Sequence, residues 1–131
     1  MTQYPLTIAA LLLGLAVYIW SGALVGRARG KFNVQAPATS GAPEFDRLFR
    51  AQMNTLEQVV VFIPLIALAA AMWGDRIAGA YGMLWSIGRI LYVVTYARDP
   101  AKRSLGFALS AGVSMLVLVG LAVTLVVRAS T

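Results

Sequence analysis

Between Leu6 and Gly26 the chain carries no charged side chain. A helix rises about 1.5 Å per residue, so about 20 apolar residues cross a hydrocarbon core about 30 Å thick. Three more stretches reach that length: Pro43 or Glu44 to Trp73, Ile77 to about Tyr96, and Leu105 to Val127. Of the 131 residues, 60% are hydrophobic and 12% charged, too few polar groups to clothe a soluble domain of this size. The solvent for most of the chain is lipid. The expected fold is an all-α integral membrane protein: one domain, 1–131, as a bundle of four transmembrane helices at about 6–26, 44–73, 77–97 and 100–128. No positive charge precedes Leu6 and no small-x-small site closes the first run, so it reads as a span rather than a cleaved leader.

The connections are legible from local chemistry. The stretch Gly30 to Glu44 is rich in Pro, Gly, Ser and Thr and reads as a long loop. Pro64 lies inside the second helix and is expected to kink it. Gly74-Asp75-Arg76 is a tight turn. Asp99 suits an N-cap and Pro100 a first helical residue, which puts Lys102 and Arg103 in the first turn of the fourth helix. Gly22 and Gly26, with Ala10 and Gly14 further up, allow close helix approach.

The net charge of +6 does not point to nucleic acid, because the basic residues sit at helix ends and in short loops. Arg27, Arg29 and Lys31 follow the first helix, and Arg98, Lys102 and Arg103 follow the third. The other side has Arg76 and Arg128. The positive-inside rule puts the first and third loops in the cytoplasm and both termini outside. There is no cysteine and no histidine, which removes disulfides, protein thiolates and ordinary zinc or haem ligation. No metal site is expected, and any thiol chemistry uses a thiol that the substrate brings.

Against this apolar background the segment FDRLFRAQMNTLE, Phe45 to Glu57, stands out. Arg50, Asn54 and Glu57 are spaced i, i+4, i+7 and share a helix face. They offer a guanidinium, an amide and a carboxylate to one ligand, or they hold helices together; the spacing leaves both readings open. Arg89, Tyr92 and Tyr96 share a face of the third helix. A buried Arg89 needs a partner, and Glu57 is the obvious carboxylate, so Arg89 reads as an orienting residue. Lys102 and Arg103 against a helix N-terminus suggest a bound anion, or follow the positive-inside rule alone. All three groupings fall at the cytoplasmic end of the bundle.

Taken together, Arg50-x-Gln52-x-Asn54-x-x-Glu57, the preceding Gly41-Ala-Pro43-Glu44-Phe45-Asp-Arg47, and Arg89-x-x-Tyr92-x-x-x-Tyr96-x-Arg98 followed by Arg103 resemble the MAPEG family, the membrane-associated proteins in eicosanoid and glutathione metabolism. The stretch NTLEQVVVFIP is similar to its bacterial, microsomal glutathione transferase-like branch. The resemblance covers nearly the whole chain. It implies a four-helix subunit in a homotrimer, with glutathione bound between neighbouring subunits as co-substrate. By position it implies that Arg50, Asn54, Glu57, Tyr92 and Tyr96 hold glutathione from one subunit, and that Arg29 and Gln52 reach in from its neighbour. Arg103 would sit beside the sulfur as the catalytic residue. The implied activity is a membrane-bound glutathione S-transferase acting on hydrophobic electrophiles, with a glutathione-dependent peroxidase as a variant, in a bacterial inner membrane. Two other readings stand beside it: a non-catalytic lipid-binding or scaffold protein on the same fold, and a small four-helix transporter coupled through Glu57. An arginine and an asparagine on the Glu57 face suit ligand anchoring better than proton cycling.

Overall fold

The computed structural model describes residues 2–131. It contains four helical spans long and apolar enough to cross a membrane, and no strand among the described residues. The spans are α1 (Pro5–Phe32), α2 (Pro43–Trp73), α3 (Asp75–Arg98) and a composite fourth span, Pro100–Ala129. The fourth span runs from a 3-10 turn, Pro100–Lys102, through α4 (Ser104–Phe107) and a π turn, Ala108–Gly112, into α5 (Val113–Ala129).

α1 passes the expected end at Gly26 and continues through the basic segment to Phe32. Arg29 and Lys31 propagate helix well and complement the negative end of its dipole. Asn33 ends it in the left-handed conformation, φ 55°, with its N–H on the Arg29 carbonyl. The loop is therefore shorter than expected, from Asn33 to Ala42. Pro43 opens α2 as its first residue, and the Asp46 carboxylate accepts the Gly41 N–H at 2.8 Å. α2 runs on through Pro64 to Trp73.

Gly74 alone joins α2 to α3, at φ 92°. The turn is tighter than the three residues expected, because Asp75 is already helical. The Asp75 carboxylate crosses to the start of α1, where it accepts the Thr7 N–H at 2.7 Å, the Leu6 N–H at 3.1 Å and the Thr7 hydroxyl at 2.8 Å. A residue 68 positions away thus supplies the cap that Tyr4 lacks. We expect Asp75→Ala to lower the unfolding temperature in detergent, with Asp75→Asn milder.

α3 is the most buried span and packs against α1, α2 and the fourth span. Small residues set its approach to α1. A Cβ on Gly82 would lie 2.6 Å from the Ala10 side chain, and one on Gly79 would lie 2.9 Å from Leu6. Ala10 of the small-residue stripe therefore makes the crossing, and Gly14 gives room to the Phe62 and Trp85 rings. Gly26 faces open space. Beneath the crossing, Phe62 stacks on Trp85 at 4.1 Å and 9°, and both are fully buried. The remaining faces are lined by exposed Leu, Ile, Val and Met, the surface that lipid requires.

Candidate functional site

The α3 and fourth-span backbones touch where Gly88 meets Gly106. A Cβ on Gly106 would fall on the Tyr92 backbone, and one on Gly88 would lie 2.8 Å from the Ser110 nitrogen. This approach builds a buried polar cluster around Arg89, which is 0% exposed. Its Nη2 donates to Asn54 Oδ1 at 2.9 Å and to Thr55 Oγ1 at 2.9 Å, and its Nη1 donates to Ser110 Oγ at 3.2 Å. The guanidinium also covers the Tyr92 ring at 4.2 Å.

The expected Arg89–Glu57 pairing is not what forms. Glu57 pairs with Arg50 at 3.4 Å, while three neutral oxygens and an aromatic face hold Arg89. Thr55 lies one residue from Asn54 and faces α3, so its hydroxyl reaches the arginine before any carboxylate does. Thr55 and Ser110 are the residues that sequence reasoning missed in this role. In sequence Ser110 is one small residue among several in the fourth span. Its place in the π turn aims its hydroxyl at Arg89 while it donates to the Gly106 carbonyl at 2.9 Å.

Arg89 fixes the Asn54 amide, and the amide fixes the rim. With Oδ1 taken by Arg89, Asn54 Nδ2 is turned outward and donates to Glu57 Oε2 at 3.3 Å. Glu57 and Arg50 are 53% and 58% exposed. An ion pair so open to solvent stabilises a fold by at most about 1 kcal/mol. That magnitude weighs against the view that Arg50, Asn54 and Glu57 mainly glue helices together.

Above the cluster opens a cavity of about 560 Å³. Arg50, Asn54, Tyr92, Tyr96 and Arg103, all selected from the sequence, line it with Ser104 and Phe107. Tyr92 and Tyr96 stack at 5.5 Å and 8°, and Phe107 tilts against Tyr92 at 6.3 Å. Glu57 stands at the rim through its bonds to Arg50 and Asn54. Phe107 and Ser104 were not expected here; only the α3 crossing reveals that α4 forms a wall.

The start of the fourth span differs from expectation. Asp99 does cap it, accepting the Ala101 N–H at 3.0 Å, but Pro100–Lys102 is a 3-10 turn and α-helix begins at Ser104. Bonds from Lys102 to Asp99 and from Arg103 to Pro100 close the chain in steps of three. Lys102 and Arg103 thus precede the first α-helical turn, and a long helix dipole does not start at Pro100. Arg103 Nη1 rests on the Pro100 carbonyl at 3.0 Å, and its side chain faces the cavity.

Arg29 and Gln52 lie elsewhere. Arg29 Nη1 donates to the Ala38 carbonyl at 2.7 Å and the guanidinium covers Phe45 at 5.1 Å, which braces the first loop. Gln52 packs beside Gly22 of α1. Neither lines this cavity. No group of His, Cys, Asp or Glu among the described residues has the arrangement to hold a metal ion.

The family model described as MAPEG family matches residues 7–127. An uncharacterized protein of Synechocystis is 42% identical over 122 residues, covering 92% of this chain and 89% of that one. Human microsomal glutathione S-transferase 2 is 40% identical over 97 residues, covering 73% of this chain and 66% of its own. Bovine leukotriene C4 synthase is 32% identical over 101 residues, covering 77% and 67%. The match spans about two thirds of the length of these mammalian relatives. With a match to the family model over nearly its whole length and four apolar spans to carry it, this chain is a multi-pass integral membrane protein that belongs to the MAPEG family.

Proposed function

We propose that this chain is a membrane-bound glutathione transferase that binds glutathione in the cavity above Arg89 and activates its thiol for attack on hydrophobic electrophiles. The observation that carries the reading is the convergence of Arg50, Asn54, Tyr92, Tyr96 and Arg103, from three separate segments, on one cavity with Glu57 at its rim. Glutathione carries two carboxylates, an ammonium and a thiol. Arginine forks suit carboxylates, and a carboxylate suits the ammonium. The relatives named for glutathione transfer and for leukotriene C4 synthesis support a glutathione-using transferase in general.

In this mechanism the Arg103 guanidinium faces the sulfur. A free thiol has a pKa near about 8.5 and is mostly protonated at neutral pH. A cation beside the sulfur favours the thiolate, with each pKa unit worth about 1.4 kcal/mol. The S–H proton leaves to water. The sulfur lone pair then forms a C–S bond with an electrophilic carbon, and the leaving group departs with its electron pair. No bond to the protein forms, so catalysis consists of positioning and charge stabilisation. The exposed Leu, Ile and Val of the bundle give the lipid-dissolved electrophile its approach.

The assembly is a homotrimer in this proposal. Arg29 and Gln52, which face away from their own cavity, complete the site of a neighbouring copy. The membrane is a bacterial inner membrane with the cavity on the cytoplasmic side, in keeping with the basic first and third loops.

The test is the ultraviolet difference spectrum of the purified protein on adding glutathione. A thiolate band that saturates with glutathione is expected. Absence of the band, together with absence of conjugation to 1-chloro-2,4-dinitrobenzene and other electrophiles, would defeat the proposal. Glu57→Gln keeps the shape and removes the charge. Glutathione affinity should fall about tenfold while thermal stability stays within about 1 kcal/mol. Unchanged affinity would return Glu57 to a structural role.

A further inference from the structure

A second cavity, of about 620 Å³, lies between the end of α1 and the start of α2, with Ala97 at the end of α3 closing one side. Its charged lining is Arg27 and Lys31 from α1 and Glu44 from α2; its apolar lining includes Leu24, Phe32 and Leu48. None of these belongs to the site above Arg89. Arg27 and Lys31 are spaced i, i+4 and project from one face of α1. No ion pair joins either of them to Glu44; the Arg50–Glu57 pair is the one found among the described residues. Lys31 Nζ rests over the Phe32 ring at 5.2 Å. Two cations and a carboxylate thus line one concavity, exposed and unpaired with each other, above an apolar floor.

Depth identifies the occupant. At the far end of α1, Leu6 and Thr7 are tied to Asp75. From Leu6 to Arg27 the helix rises about 32 Å, close to the thickness of the hydrocarbon core. Arg27, Lys31 and Glu44 therefore stand at headgroup level, while Leu24 and Leu48 lie toward the acyl chains. Basic pockets at this depth between membrane helices recognise lipid headgroups. A carboxylate in the same pocket disfavours a purely anionic headgroup and favours one that also carries a hydrogen-bonding cation.

We propose that this cavity binds a phospholipid whose headgroup combines a phosphate with a primary ammonium, as in phosphatidylethanolamine. Arg27 and Lys31 take the phosphate, and Glu44 takes the ammonium. Leu24 and Leu48 cover the glycerol and the first methylenes. The site is independent of the glutathione reading, since it shares no residue with that cavity.

Native mass spectrometry of the full chain in detergent tests it, with phosphatidylethanolamine, phosphatidylcholine and phosphatidylglycerol of matched acyl chains titrated separately. Phosphatidylethanolamine should be retained best, because phosphatidylcholine has no N–H to donate and phosphatidylglycerol has no cation. The double substitution Arg27→Gln with Lys31→Gln should weaken it about thirtyfold, from about 1 kcal/mol per cation. Glu44→Gln should bring it down to the level of phosphatidylglycerol. Equal retention of the three lipids would overturn the proposal, as would a phosphatidylethanolamine preference that survives both substitutions. A preference for phosphatidylglycerol that ignores Glu44→Gln would mark a general basic surface and would also overturn it. All three positions are solvent-exposed, so the variants should keep the wild-type melting temperature, which is measured in parallel.

Discussion

Arg103→Ala should lower turnover with glutathione by about ten- to a hundredfold and should diminish the thiolate band of bound glutathione. Arg103 lines the cavity from just after the 3-10 turn that opens the fourth span, and its side chain is exposed. Its removal leaves no buried group without a partner, so stability should change little. The effect belongs to the sulfur. Without the guanidinium, the bound thiol returns toward its ordinary pKa, and each unit costs a factor of ten in thiolate at pH below it. The sign follows directly. Wild-type activity should already be near its plateau at neutral pH, whereas the variant should gain activity as pH rises, its profile displaced by about one to two units to the alkaline side. Arg103→Lys should recover part of the rate, because it keeps the charge and loses the planar fork. If the alanine variant keeps both its thiolate band and its pH profile, another group activates the sulfur.

Gly106→Val should have the largest effect on the fold. Any Cβ at this position falls on the Tyr92 backbone and near the Gly88 carbonyl oxygen, and backbone cannot rotate aside as a side chain can. α3 and the fourth span must separate. Separation pulls Ser110 from Arg89, whose buried guanidinium then loses a bond at 3.2 Å. A cost of about 3 kcal/mol or more is expected from the overlap, with a further about 1–3 kcal/mol for the polar group left unsatisfied. The melting temperature in detergent should drop steeply, and glutathione affinity should drop with it, because Tyr92 and Phe107 part. Gly112→Val is the control. It lies in the π turn of the same span, where a Cβ meets nothing within 4 Å, and should melt like the wild type. Equal melting of both variants would show that the Gly88–Gly106 contact does not hold the bundle together.

The two effects separate the layers of the site. In the proposed mechanism Arg103 acts on the ligand from an exposed position. Gly106, Ser110 and Arg89 act from the core and shape the cavity through Asn54, whose amide Arg89 orients, and through Tyr92, which Gly106 and Arg89 both touch. Loss of Arg103 should change the chemistry of a folded protein; loss of the Gly106 contact should change the shape in which that chemistry is possible.

The sequence by itself determined the solvent, the number of spans and five of the seven side chains that line the cavity. Apolar run length against bilayer thickness is a local property, and so is helical spacing. Arg50, Asn54 and Glu57 therefore could be placed on one face without knowing what they faced, and Tyr92 and Tyr96 likewise. The tertiary structure decided what each polar group touches. It gave Arg89 to Asn54, Thr55 and Ser110 instead of Glu57, because the partner is set by which oxygen lies within 3.2 Å across two helix crossings. It set the α1 crossing at Leu6 and Ala10, where α3 supplies Gly79 and Gly82, and left Gly26 open. It tied Asp75 to the start of α1, closed Pro100–Lys102 as a 3-10 turn, and set Ser110 in a π turn. Each of these depends on distances between segments far apart in the chain. Local periodicity carries no record of such distances; close packing fixes them.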